Sequence, residues 1–278
     1  MKQAIQSIAS LLVIILLGLI VFSCSPERKL ANSFVKSDVK KSALLLSTDK
    51  IFKTSLKTAI LDSLEIFDKN LFDSVLFAHS DFLQKIDDPI FLRNYILGLE
   101  KELKAFGFDI YHEGQMADFM EVDSNAFIIY LAQIEIEEAF FPFRDETESS
   151  SYSYYYDHQL NSVSVYSWFE INKVNEKKGE YIYFADDVIV DEVDGNFTLD
   201  FFGGDVKYFY EIDSLETKDL YEYAFMLGRT YAGYTFDLLL NTYIRKNMPE
   251  EPKDYWRYDP YTESFFPATN DKFISLDE

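Results

Sequence analysis

Few residues in this chain combine a type and a spacing that could do chemistry. There is a single cysteine, Cys24. A thiolate nucleophile would have to be this residue, and no intrachain disulfide can form. The three histidines, His79, His112 and His158, stand far apart in sequence. His112-Glu113 begins like a zinc motif, but no histidine follows at the spacing a helix would need to complete it. His79-Ser80-Asp81 contains the residue types of a hydrolase triad. Adjacent side chains diverge, so they cannot relay a proton to one another, and His79 is read as a packing or turn residue. The acidic stretch Asp186-Asp187…Asp191-Glu192-Val193-Asp194-Gly195 fails as a calcium loop: with Gly195 at the sixth position, the first ligand position falls on Val190. Phosphate-binding and nucleophile-elbow glycine motifs are absent. Paired carboxylates for glycoside hydrolysis carry no signal in a chain with 48 acids. No cofactor and no metal site is expected. The remaining candidates are Tyr152, Tyr154, Tyr155 and Tyr156, in the acidic segment RDETESSSYSYYYDH (144–158). Tyrosines in such a setting can stack on a sugar or a protein partner, so they are read as a partner-binding set.

The position of Cys24 says more than its chemistry. Ile8 to Phe22 is almost wholly apolar, Lys2 supplies a basic start, and a polar segment begins at Ser25. Residues 1–23 therefore read as a secretory signal peptide. Val21-Phe22-Ser23-Cys24 resembles a bacterial lipobox, which implies cleavage before Cys24 and acylation of its sulfur, palmitate included. Phe22 departs from the small residue usual there. Two or more acyl chains anchor a protein stably to a membrane. Ser25 rather than Asp after the cysteine implies sorting to an outer membrane. An uncleaved membrane helix over 4–23 is the alternative.

The remaining chain is about 255 residues long, enough for one large domain. The whole chain has 26 Lys+Arg against 48 Asp+Glu, a net charge of −22, or −23 without the leader's Lys2. Such a field repels phosphate backbones, so no nucleic-acid partner is expected. Aromatic residues make up 17%, which argues for a packed interior.

Several elements must position these candidates. Residues 24–42 are polar and read as a lipidated tether with one or two helical turns. Ala43 to Leu46, continuing towards Ile51-Phe52, suits a doubly buried strand. Residues 56–87 are ambiguous: Leu56, Ile60, Leu64 and Phe67 have helical spacing, Ser74 to Ala78 could instead be a second buried strand, and Asp81 to Ile86 looks like a turn of helix. Asp88 and Pro89 open a helix that runs to Phe106 with Phe91, Tyr95, Leu99 and Leu103 on its buried stripe, and Gly107 ends it. A strand at 108–112, a short helix at 115–121 and a long strand at 126–141 follow. Residues 144–158 read as an exposed loop or protruding hairpin. Strands then recur near 163–171 (with Ser164 and Ser167 outward), at Tyr181-Phe184 with Val188-Val190, after an Asp194-Gly195 hairpin turn, and after Gly203-Gly204 at 206–212. A helix over 216–247 carries a stripe of Leu220, Ala224, Leu227, Tyr231, Thr235, Leu238 and Thr242. Its strip Ala224, Gly228 and Ala232 would let it approach a neighbour closely. Residues 248–278 read as a Pro- and aromatic-rich tail that wraps the surface.

The expected fold class is α+β: a mixed sheet of strand–helix–strand units over 43–247, continued by an antiparallel meander and packed by the long C-terminal helix. The segments S-C-S-P-E-R-K-L, L-L-L-S-T-D-K-I-F-K-T, S-W-F-E-I-N (167–172) and the helix bearing Gly228-Arg229 resemble Bacteroidota envelope lipoproteins, a family that carries no known activity. At fold level the pattern is similar to the curli-secretion lipoprotein, the penicillin-binding-protein activators and the N-terminal domain of the Tol translocation protein. What this implies is an outer-membrane lipoprotein, on the periplasmic or surface face, with a non-catalytic binding or assembly role. Its contacts would be the membrane, through Cys24, and an envelope protein or glycan. An envelope glycan hydrolase and an oligomeric secretion component are the alternatives.

Overall fold

The computed structural model describes residues 25–122, 125–148, 152–174, 182–199, 205–268 and 273–276. The leader, Cys24, Tyr181 and Gly203-Gly204 lie outside the described residues. The architecture is α+β, as its patterning predicts.

A helix α1 (Pro26–Val35) leads into β1 (Lys41–Ser47) and β2 (Ile51–Ser55). Ser25 caps α1 by accepting from the Arg28 amide, and Pro26 supplies the first turn. The stretch expected to hold a turn or two is thus a ten-residue helix, and Phe34 packs on Phe236 and Tyr243. Residues 59–63 and 72–78 form short helices α2 (Ala59–Ser63) and α3 (Phe72–Ala78), so Ser74 to Ala78 is helical rather than a strand. Only Leu76 of α3 is buried, which is too narrow an apolar face for an inner strand. Residues 81–86 form a single helical turn, in which the Lys85 and Ile86 amides both donate to the Phe82 carbonyl, with Phe82, Leu83 and Ile86 buried.

Helix α4 (Asp88–Ala105) follows. Its cap is Asp87, one residue earlier than expected: the Asp87 carboxylate accepts from the Ile90 amide. Gly107 takes φ +84°, the left-handed conformation that ends a helix. All four predicted stripe residues are buried. Then come β3 (Phe108–His112), α5 (Met116–Met120) and two long strands, β4 (Asn125–Glu148) and β5 (Ser153–Lys173). The chain continues through β6 (Ile182–Val190), β7 (Glu192–Leu199) and β8 (Val206–Asp213) into α6 (Thr217–Asn247). The tail contains β9 (Tyr255–Asp259), β10 (Ser264–Ala268) and β11 (Ile274–Ser275).

The main sheet has the order β11-β6-β5-β4-β1-β3, and β2 pairs with β4 beyond β1. β1 is parallel to both β3 and β4, because helical crossovers separate them, whereas β4, β5 and β6 run antiparallel. Helices α4 and α6 cover one face. On the other, Phe119 of α5 packs with Leu44 and Ala126 in a smaller cluster. The tail is more regular than its composition suggests: β9 and β10 form a hairpin, Trp256 is buried, and Phe273 packs on Phe169, Tyr183, Tyr231 and Tyr234.

Three details differ from the sequence reading. Ser167 faces the core, where the Tyr95 hydroxyl donates to it over 2.9 Å; a two-residue period places it with Val163, Val165 and Phe169. Thr242 is exposed, since the buried stripe of α6 drifts to Phe236, Leu240 and Ile244 over so long a helix. Asp194-Gly195 is no turn: it lies inside β7, opposite Glu211 and Tyr210.

Candidate functional site

The candidate site is built from a strand pair that outgrows its sheet. β2 accompanies β4 as far as Glu138, and β6 accompanies β5 from Ser162. Beyond them, from Phe140↔Asn161 to Glu148↔Ser153, the ladder has two strands. These nine further pairs make an arm of about 30 Å at the rise of an extended strand. In the segment expected to be a loop or a protruding hairpin, residues 144–148 and 153–158 therefore pair as the distal part of β4 and β5, and residues 149–151 lie outside the described residues.

The arm is fixed at its root by a buried ionic network. Lys57, 2% exposed, lies 2.6 Å from Glu138 Oε1 and 2.5 Å from Asp81 Oδ2, and donates to Asn161 Oδ1 over 2.8 Å. Glu138, fully buried, also accepts from the Asp81 and Phe82 amides. The Phe140 ring stands 4.7 Å from the ammonium. Asn161 passes the network on: its amide and side chain donate to Asp191, which also accepts from the Leu215 amide just before α6. Six segments of chain are thus tied where the arm leaves the domain.

Pleating splits the four predicted tyrosines between two faces. Tyr155 lies with Arg144 and Asp157. The guanidinium sits 4.2 Å over the Tyr155 ring and forks onto Asp157 at 2.7 and 3.0 Å. This hydrogen-bonded pair pulls the Asp157 carboxyl below the usual range and raises Arg144. Tyr152, Tyr154 and Tyr156 lie on the other side. Tyr152 stacks on Tyr154, and Tyr156 stacks on Tyr208 and leans on Tyr210 and His158.

That second face is covered by the β7–β8 hairpin. Tyr208 donates its hydroxyl to Asp145 over 2.8 Å and lies 2.9 Å from His158 Nε2. Because the phenol's one proton goes to the carboxylate, His158 Nε2 must carry the hydrogen it shares with Tyr208. Desolvation and the Asp145 carboxylate push the Tyr208 hydroxyl up to about 12. Gly195 explains itself here: a Cβ would land on the Asp145 carboxylate and the Tyr208 hydroxyl. A glycine inside a strand marks close approach, and this one resembled a turn signal only because a turn also demands glycine.

The result is an aromatic cluster, Tyr156, His158, Phe197, Tyr208 and Tyr210, with exposed rings at its margins. Tyr152 is 65% exposed and Tyr210 49%, and on the opposite face of the arm Tyr155 is 59% exposed. The arm from 141 to 160, together with β7 and β8, carries eight described carboxylates against Arg144 and Lys207. Sequence reasoning missed Tyr208, Tyr210, Asp145 and Lys57. The alternation Tyr208–Tyr210 matches that of Tyr154–Tyr156–His158, and this shared period was the available signal. Lys57 gave none.

The other predicted chemical residues are dispersed. His79 is an exposed C-cap of α3, Ser80 is buried, and Asp81 belongs to the Lys57 network. His112 lies 3.4 Å from Glu100 at the end of β3. No group of three or more metal-ligating side chains occurs among the described residues. A shallow groove between α4 and α6 is lined by Asn94, Tyr221, Glu222, Phe225 and Met226, with Glu222 its one carboxylate. Paired acids for glycoside cleavage are not assembled there. Arg229 serves packing: it pairs with Glu102 at 2.7 Å and donates to Tyr261, whose hydroxyl also bonds Glu102. Among the described residues no helix is long and apolar enough to cross a membrane. Comparison with protein-family models, curated proteins and solved structures returns no match to this chain.

Proposed function

We propose that this protein is a lipid-anchored binding protein of a bacterial envelope, held to the outer membrane through Cys24, with the β4–β5 arm as its recognition element. The observation that carries the reading is the placement of the arm relative to the start of the folded chain. Glu27 accepts from the Lys253 amide, and Phe34 packs near the C-terminal end of α6. Lys41 pairs with Asn125, at the beginning of β4. The start of the described chain therefore sits at one end of the long strand pair and the arm at the other. An anchor at Cys24 would leave the arm free to reach a partner. The chain's net charge would reinforce this by repulsion from an anionic leaflet, over roughly 8 Å at physiological salt.

The test is Cys24→Ala with cell fractionation and acyl labelling. Acyl label and membrane association should both be lost. Retention of both by the variant would overturn the anchoring. In parallel, envelope cross-linking with residues 143–156 replaced by a short turn should lose the partner that the parent chain captures.

A further inference from the structure

We propose that the open face of the main sheet is a second binding site, for a neutral oligosaccharide, built from rings and hydrogen-bonding side chains of β4, β5 and β6. The site lies outside the arm and goes beyond the reading above. Strand pairing sets its floor. Gln133, Trp168 and Phe184 stand in one row across the sheet, and Phe52, Glu135, Tyr166 and Asp186 stand in the next. Directly opposed residues point to the same face, as do alternate residues of one strand. The ring contacts agree. Phe184 is stacked with Tyr166, centroids 6.1 Å apart, and lies 5.1 Å from the Trp168 ring. The Tyr166 hydroxyl donates to Glu137 over 3.3 Å on the same face.

The described helices leave this face open. Trp168, Phe184, Tyr166, Gln133, Glu135 and Glu170 are half-buried, whereas Ile134, Phe169 and Ala185 on the reverse face are buried in the core with α4 and α6. Helix α5 covers only the corner around Leu44 and Ala126, and the β7–β8 hairpin covers the arm. A pyranose has a flat face of C–H bonds and a rim of hydroxyls. The C–H face packs on an aromatic ring, and a few polar groups placed among rings fix the orientation of a ligand. Each hydroxyl both donates and accepts. The Gln133 amide supplies both roles beside the rings, and the Glu135 and Glu170 carboxylates accept. Among the described residues none of these three side chains has a hydrogen bond or ion pair of its own. A cationic peptide would use only the acceptors. Glu135, Glu137, Glu170 and Asp186 repel an anionic chain, so the sugar is uncharged.

The test uses the whole chain, purified in a detergent without a sugar headgroup. It is titrated with maltohexaose, cellohexaose, mannohexaose and chitohexaose, and followed by calorimetry and by acrylamide quenching of tryptophan emission. At least one hexaose should bind and should shield Trp168 from acrylamide; the other tryptophan, Trp256, is already buried. Trp168→Ala should weaken binding about fivefold or more, while Trp168→Phe recovers most of the loss, because the ring face is what the sugar uses. Glu135→Lys should weaken it more than Glu135→Gln, which keeps an acceptor oxygen. Phe266→Ser removes an exposed ring from the tail hairpin that packs on α6, behind the sheet, and should leave binding within about twofold. Unfolding midpoints verify the folded state of each variant. Where Trp168→Ala lowers the midpoint, Trp168→Phe and the quenching of the parent chain carry the test.

The inference is overturned if none of the four hexaoses binds up to about 10 mM, a range that reports even millimolar sites. It is also overturned if a bound hexaose leaves Trp168 as open to acrylamide as before, or if Trp168→Ala and Phe266→Ser bind alike. A labelled Arg–Ser peptide that binds the parent chain but not Trp168→Ala, with no hexaose competing, would assign the face to a cationic peptide instead. Each of these outcomes leaves the arm reading to its own test, since the cross-linking experiment replaces residues 143–156 and none of the face.

Discussion

Lys57 is a long cation with almost no contact with water, and its surroundings decide what each neighbour contributes. Glu138 is as buried as the lysine, whereas the Asp81 side chain is 60% exposed. Removing the lysine leaves Glu138 charged and unpaired in the interior, a situation that typically costs about 3–5 kcal/mol. Removing Asp81 leaves a pair that remains satisfied. Lys57→Met should therefore lower the urea-unfolding free energy by several-fold more than Asp81→Asn, and the double variant Lys57→Met with Glu138→Leu should recover much of the loss. Tyr208 gives a pH signature. Its hydroxyl is raised from an ordinary 10.0 to about 12 by desolvation and then by Asp145. A raised value means the neutral form is favoured on folding. That contribution is complete below pH 10 and is lost as pH climbs through about 12. Ultraviolet titration of tyrosinate should show a late phase whose amplitude Tyr208→Phe lowers by one phenol, with the aromatic packing between β8 and the arm loosening as pH climbs through about 12.

At the scale of elements, the crossing of α4 and α6 is set by two glycines. A Cβ on Gly98 would land on the Phe225 carbonyl, and one on Gly228 on the Tyr95 carbonyl. Both obstacles are backbone and cannot turn aside. Gly98→Ala and Gly228→Ala should each destabilise by about 1–3 kcal/mol or more in denaturant unfolding, despite the better helix propensity of alanine. Gly233 has open space around it, and Gly233→Ala should be neutral or stabilising. The strip of Ala224, Gly228 and Ala232 predicted that α6 would come close to something. It did not say that the partner would be α4, nor that Gly98 would meet it reciprocally. Strand length shows the same division. The alternation at Ile134 to Glu137 reads as a half-buried strand, but residues 144–158 look like loop because polar, charged residues dominate there. A two-stranded arm has solvent along much of its length, so it lacks the apolar period by which inner strands are recognised.

For the whole molecule, the direction of the chain is the functional quantity. α1 seats the start of the described chain near the end of α6 and beside β9, while the arm leaves from the opposite end of β4 and β5. Under the proposed anchoring, the Cys24→Ala protein should unfold at the same midpoint as the parent in solution while losing its membrane fraction, because the packing of α1 on α6 is made by residues after Cys24. The tail also packs onto the fold: Trp256 and Phe273 are buried, and β11 pairs along β6.

Sequence by itself determined the α+β class, the course of α4 and α6, the net charge of −22, and the position of the lone cysteine behind an apolar stretch. These follow from local periodicity, charge sums and one-dimensional spacing. Only the tertiary structure decided that Tyr155 faces away from Tyr156, and that Gly195 makes room for Tyr208 and Asp145. The same holds for Lys57, whose network ties six segments at the root of the arm. Each of those depends on contacts between residues far apart in sequence, about 24 to 100 positions for the Lys57 network. Local pattern is blind to such contacts, because their stabilisation exists only once loop closure has brought the segments together.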